Sequence, residues 1–407
     1  MNVYSKLSPP LSLIDSRLNV EFNRAVDRCA FSGASLLISS FADPVYERTW
    51  GAVESAGVPV TPTTRFDLAS LTKPLVTAPL CMVALTRGLL DLDDPISRFF
   101  PGLARADKKK ITVGKLLSHS SGLPAYEPFY LELIKLPPED RKNALTSMIL
   151  KTPLESLPGQ RAVYSDPGFM LLGLILEQQM QGGLDRLAKE YLFDPLGIED
   201  LHFCPLPPAL DPAATQSSGE AAAPAPVAFS PGSLGSSHRA GVPGICYAAT
   251  QFCPWRKRLL SGEVDDENAW TLNGVSGHAG LFGTSRGIFK LLSFLWSVYI
   301  GETAHPLWDR KTLELFWKKT ELAEGPSDWC LGYDTPSRKG YSSAGRYFSS
   351  NSIGHLGFTG VSFWLDLEKK ILVIMLTNRV HPARQNDEIR ELRPILHDII
   401  MGTLTQS

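Results

Sequence analysis

The chain predicts an α/β protein of the α+β type, in which segments from both termini build one antiparallel sheet and a mainly helical lobe is inserted between them. Three features point there. Strand-like runs lie near both ends, apolar residues in the middle recur at three- and four-residue spacing, and Ile371-Leu372-Val373-Ile374-Met375-Leu376 is a continuous apolar run of strand length.

Taken in order, an N-terminal helix is expected over Leu18 to Arg28. Strands follow at Ser32 to Ser39 and Pro44 to Trp50, and Ala42-Asp43-Pro44 turns between them, so the two form a hairpin. Helical spacing then marks Lys73 to Arg87, Val113 to Leu117, Pro138 to Leu150, Gly168 to Gln181 and Leu184 to Tyr191. From Pro205 to Pro243 the composition shifts to Pro, Ala, Ser and Gly. Such a stretch buries too little to offset its ordering entropy, so a mobile surface insertion is expected. Strand character returns at Gly360 to Leu365, turns at Asp366 to Lys370, and resumes in the apolar run that ends at Thr377-Asn378-Arg379. A last helix covers Asp387 to Leu404. The expected organisation is a single domain, 1–407, with a sheet lobe (18–66 and 284–407), a helical lobe (67–283) and a low-complexity insertion (205–243). An active site belongs in the cleft between the lobes.

Composition narrows the function. At 407 residues with 43% hydrophobic content the chain can bury a substantial core, and a net charge of -2 offers no basic surface for nucleic acid. The N-terminal Met1 to Phe22 lacks the apolar core of an export signal, and Met170 to Leu176 and Leu291 to Ile300 are too short to span a bilayer. The six cysteines form no Cys-x-x-Cys pair and read as reduced core thiols; the spacing of Cys204, Cys246 and Cys253 with His202 or His238 fits no usual zinc site. The expectation is therefore a cytoplasmic protein with no metal, no cofactor, no nucleic-acid partner and no membrane span; nothing in the sequence marks an oligomeric state.

One tetrapeptide carries chemistry. Ser70-Leu71-Thr72-Lys73 sits where a polar stretch gives way to an apolar helix, which puts a hydroxyl and an ammonium three residues apart on one helical face. The start of a helix also directs N–H groups toward an anion forming beside the serine. The chemistry suggested is acyl transfer. Tyr164-Ser165-Asp166 follows downstream, and Gly354-His355-Leu356-Gly357-Phe358-Thr359-Gly360 lies near the C-terminus.

In that order and spacing these three stretches resemble the motifs of the class C β-lactamase-related serine hydrolases, a family that includes penicillin-recognising peptidases, D-amino-acid peptidases and family VIII-type esterases. Leu116 to Pro124, Gly277 to Thr284 and Thr377 to Pro382 agree with it as well. The resemblance implies a β-lactamase/transpeptidase-like fold and a covalent acyl-enzyme on Ser70. It implies Lys73 as the electrostatic, proton-sharing partner and Tyr164 as general base and later leaving-group acid, with the Lys73 cation favouring a phenolate. It places His355 in a binding or proton-relay role with an imidazole titrating in the working range. The N–H groups of Ser70 and Phe358 would form an oxyanion hole, and Gly357 and Gly360 would let substrate backbone approach the strand edge.

Two positions depart from the family. Asp166 stands where asparagine usually donates an amide to substrate, and an ionised aspartate only accepts. Leu356 stands where a hydroxyl residue would hold a substrate carboxylate. Both favour an ester, or an amide without a free carboxylate at that end, over a β-lactam. His119 and His278 are expected to hydrogen-bond backbone across loops, and Asp265-Asp266-Glu267-Asn268 reads as a polar turn. The expected function is a serine hydrolase acting on small esters or D-amino-acid-type amides. A muropeptide D,D-peptidase or β-lactamase and a non-catalytic binding protein are the alternatives.

Overall fold

The computed structural model describes residues 9–405 apart from 41–42, 56, 102–105, 208–209, 211–240 and 338, so most of the expected 205–243 insertion, including His238, lies outside the described residues. The chain opens with helix α1 (Pro9–Asp27) and the hairpin β1 (Gly33–Ser40) and β2 (Asp43–Gly51). Helices α2 (Ala78–Thr86), α3 (Pro138–Lys151), α4 (Asp166–Met180) and α5 (Ser285–Tyr299) follow. Strands β3 (Ser352–Leu356), β4 (Ser362–Asp366) and β5 (Ile371–Thr377) and helix α6 (Ile389–Thr405) close it.

The five strands form one antiparallel sheet in the order β3-β4-β5-β1-β2. Its central seam joins the two ends of the chain, with Ala34 opposite Thr377 and Ser40 opposite Ile371. Alternation along the strands assigns the faces. Leu36, Ile38, Val373 and Met375 share a cluster with Ile14, Leu18 and Phe22 of α1 and Leu396 and Ile400 of α6. Leu37, Leu372, Ile374 and Leu376 share the other cluster with Leu291, Leu292 and Leu295 of α5. Because β5 is buried on both faces, every position from Ile371 to Leu376 is apolar, and each such side chain contributes roughly 1.5–3 kcal/mol on burial.

That second cluster does not stop at the sheet. It continues into the helical part through Leu80, Val83, Leu145, Leu171 and Ile175. A small second sheet pairs Phe66–Asp67, which lies just before Ser70 in sequence, with the remote segments Leu281–Gly283 and Leu201–Phe203. The site is thereby anchored from several distant segments.

Four details differ from the sequence expectation. Helix α1 starts at Pro9 rather than Leu18: prolines are tolerated in a first turn, and Ile14, Leu18, Phe22 and Ala25 make one buried face. The helix after Ser70 is not uniform, running from a 3₁₀ turn (Ala69–Leu71) through a π-helical turn (Lys73–Thr77) that contains Pro74 into α2. Residues Ala69–Thr86 are also long and apolar enough to cross a membrane, but 83% of that window is buried inside the protein, as in a core helix. Finally, four cysteines are buried, whereas Cys29 is exposed and Cys246 intermediate, so not every thiol lies in the core.

Candidate active site

Ser70 sits on a strained turn. The preceding Ala69 has φ 45°, a region that non-glycine residues occupy at a cost of order 1–3 kcal/mol unless neighbours hold them there. They do. Buried Asp67 accepts the Ala69 N–H at 2.9 Å and the Asp265 N–H at 2.7 Å. Thr72 donates its hydroxyl to the Ala69 carbonyl at 2.7 Å and accepts the Leu281 N–H at 3.1 Å, while Thr359 donates to the Asp67 carbonyl at 2.7 Å. Burial pushes the Asp67 carboxyl up to about 7.

Around the nucleophile three of the expected residues meet. Lys73 Nζ lies 2.9 Å from Ser70 Oγ and 2.6 Å from the Tyr164 hydroxyl, and that hydroxyl donates to Ser70 Oγ at 2.6 Å. Lys73 Nζ also donates to Asp166 Oδ1 at 2.8 Å and to the His278 carbonyl at 3.1 Å. Four oxygens thus surround one nitrogen that is fully buried and carries at most three hydrogens. Burial lowers the Lys73 pKa, and the Asp166 carboxylate works in the opposite direction.

Tyr164 departs from expectation. Burial and the Asp166 carboxylate push the phenol well above its ordinary value, against a smaller opposing effect from the Ser70 hydrogen bond. The phenolate that the Lys73 cation was expected to favour is disfavoured, because burial penalises its charge and the Asp166 carboxylate repels it. Asp166 itself opens α4, which Ser165 caps by accepting the Gly168 N–H at 3.2 Å. Its Oδ1 is directed at the catalytic-site lysine, so the position expected to touch substrate is also an ion-pair partner.

His355 is brought to the same wall, its ring 6.1 Å from that of Tyr164. Its Nδ1–H donates to the Leu356 carbonyl at 2.7 Å, and Nε2 is buried without a partner. Burial, with Lys73 nearby, pushes the imidazole down to about 3, which overturns the expectation of titration in the working range. His119 does bind backbone, accepting the Ser165 N–H at Nδ1 at 3.0 Å. The His278 carbonyl receives Lys73, while its ring contacts Ser276 Oγ and Asp266 Oδ1, both at 2.9 Å. Asp266, read from sequence as part of a polar turn, is therefore coupled to the site through His278; its place next to a helix start was a signal for capping, and it does accept the Ala269 N–H at 2.7 Å. Burial alone would raise its pKa, but His278, the Ala269 N–H and Lys73 outweigh that and hold it at about 2.

The strand edge completes the site. A Cβ on Gly357 would stand 2.8 Å from the Leu68 carbonyl oxygen and 2.3 Å from Val361, and Gly360 has φ +104° with Thr377 Oγ1 2.2 Å from its would-be Cβ. Packing within the protein demands these glycines, a different reason from the expected approach of substrate. It also presses the end of β3 against the Ser70 turn. Among the described residues no backbone acceptor pairs with the N–H of Ser70 or of Phe358. A cavity of about 760 Å³ opens here, lined by Ser70, Tyr164, Asp166, His355 and Phe358 among others.

The profile of the family described as Beta-lactamase matches residues 21–396. The chain belongs to the beta-lactamase family. Its fold is the β-lactamase/transpeptidase-like one, and it is a serine hydrolase of that family. An Escherichia coli strain K12 protein provisionally named D-alanyl-D-alanine carboxypeptidase is 29% identical over 391 residues, covering 89% of this chain and 83% of its own. Among solved structures, EstCE1, described as a hydrolase with promiscuous acyltransferase activity, aligns with a TM-score of 0.64 at 20% identity over 94% of this chain and 99% of that one. Simvastatin synthase (LovD) from Aspergillus terreus aligns with a TM-score of 0.67 at 18% identity over 98% of this chain and 100% of that one. At those identities the two structures speak for the fold.

Proposed function

We propose that the protein hydrolyses small esters or D-amino-acid-type amides through an acyl-enzyme on Ser70. The observation that carries this is the convergence of Lys73 Nζ and the Tyr164 hydroxyl on Ser70 Oγ, at 2.9 and 2.6 Å, in a cavity wide enough for a small substrate. Burial works against the ammonium of Lys73 and the phenolate of Tyr164, and on those directions we assign Lys73 as the base that starts the reaction.

Lys73 takes the Ser70 proton as Oγ bonds to the substrate carbonyl carbon. The carbonyl electrons move to oxygen, where the N–H groups of Ser70 and Phe358 donate. As the oxyanion collapses, the leaving alcohol or amine departs with the Tyr164 proton, and Lys73 returns its proton to the phenol. Water then attacks the ester, loses its proton through the same pair, and Ser70 regains its hydrogen as the acid leaves. Asp166 positions Lys73, and neutral His355 offers an unpartnered acceptor at Nε2.

The test is mass spectrometry after a fluorophosphonate or a p-nitrophenyl ester: one adduct on Ser70, absent in Ser70→Ala together with turnover, is expected. Turnover that persists in Ser70→Ala would end the proposal. The E. coli relative's name raises a second reading, a D,D-carboxypeptidase. Covalent capture of a fluorescent penicillin on Ser70 supports it, and no capture at high concentration removes it.

A further inference from the structure

The far wall of the same cavity is made by the start of α6. Pro394, inside that helix, has no N–H to give the Arg390 carbonyl, and the Tyr341 hydroxyl takes the vacant place at 2.5 Å. Arg390 and Arg393, three residues apart, both line the cavity.

Arg393 is 4% exposed, its Nε is buried without a partner, and among the described residues its guanidinium makes no hydrogen bond or ion pair. Three carboxylates that line the same cavity hold other arginines. Asp265 and Glu267 hold Arg384 at 2.7 and 2.9 Å, and Asp387 holds Arg379 at 3.3 Å. A buried cation without a counterion is costly, and proteins keep one where something supplies the missing charge. Burial pushes Arg393 down to about 10, which leaves it cationic at neutral pH.

We propose that Arg393, with Arg390 beside it, is an anion-recognition subsite of this cavity that takes a carboxylate carried by the substrate. The proposal rests on the Ser70 acyl-enzyme reading. Leu356 offers no hydroxyl to a carboxylate, whereas a guanidinium can bind both carboxylate oxygens at once.

Two substrate pairs test it and tell which side of the scissile bond bears the charge. The acyl-side pair is mono-p-nitrophenyl glutarate against p-nitrophenyl valerate; the leaving-group pair is an N-acyl-D-alanyl-D-alanine against its terminal amide. In one pair the charged member should have the higher kcat/KM by at least tenfold, falling with added salt. Arg393→Gln should cut that ratio at least tenfold, and Arg393→Lys should restore part of it. Ratios near one in both pairs for the wild-type enzyme, a reading that needs no variant to fold, overturn the subsite. So does a ratio unmoved in Arg393→Gln. Absence of any Ser70-dependent turnover would instead strike the acyl-enzyme reading.

Discussion

On the Ser70 wall of the cavity, Lys73 is wholly buried and has four oxygens within 3.1 Å; on the α6 wall, Arg393 is nearly as deep and has no partner among the described residues. For both side chains burial works against the charged form. In the first case the surrounding oxygens share protons with it, and the result is a reactive cluster. In the second the charge is unspent, so it can act only on something that enters the cavity. Paired burial sets reactivity and unpaired burial sets selectivity.

The comparison can be broken most directly at the lysine. Lys73→Met should lower kcat/KM by about 10⁴-fold, measured with a p-nitrophenyl ester, because the base and its proton path vanish together. A smaller loss, about 10²–10³-fold, is expected for Tyr164→Phe, which keeps the ring and removes the proton donor. If Tyr164→Phe costs more than Lys73→Met, the assignment of the two roles must be exchanged. Gly357→Ala forces a Cβ onto the Leu68 carbonyl, and should lose about 10²-fold in kcat and about 1–3 kcal/mol in denaturant unfolding.

Arg393→Met sharpens the other side. Replacing an uncompensated buried charge by an apolar chain should raise the stability of the ligand-free protein, by about 1–3 kcal/mol in urea unfolding; a loss of that size would mean that Arg393 holds the fold together. The smallest effect is on a pH profile. The Asp166 carboxylate favours the Lys73 ammonium, so Asp166→Asn lowers the lysine pKa and the amine persists to lower pH. The acidic limb of kcat/KM against pH should therefore move to lower pH, and a limb that stays put or moves up would detach Asp166 from the base.

Much of this was legible because it is local. The hairpin and the final helix follow from local patterns of turn residues and of three- to four-residue spacing, the strand Ile371–Leu376 from an unbroken apolar run, and the spacing of Ser70 and Lys73 puts both on one side of a helical turn. Strand β3 was not among the elements inferred from pattern, because Gly354 interrupts it and Gly357 follows it directly, both residues of low strand preference, and its ladder with β4 forms only in the assembled sheet. Asp166 looked like a substrate contact, since nothing in Tyr164-Ser165-Asp166 says where an amine 93 positions upstream will lie.

By itself, then, the sequence determined which groups are available: an alcohol, an amine, a phenol, the glycines of a strand edge and the two ends of a central sheet. Only the tertiary structure decided their charge states. Whether Tyr164 holds its proton, why His355 stays neutral and why Arg393 lacks a partner all depend on burial and on neighbours from remote segments, and desolvation and Coulomb attraction act through space rather than along the chain.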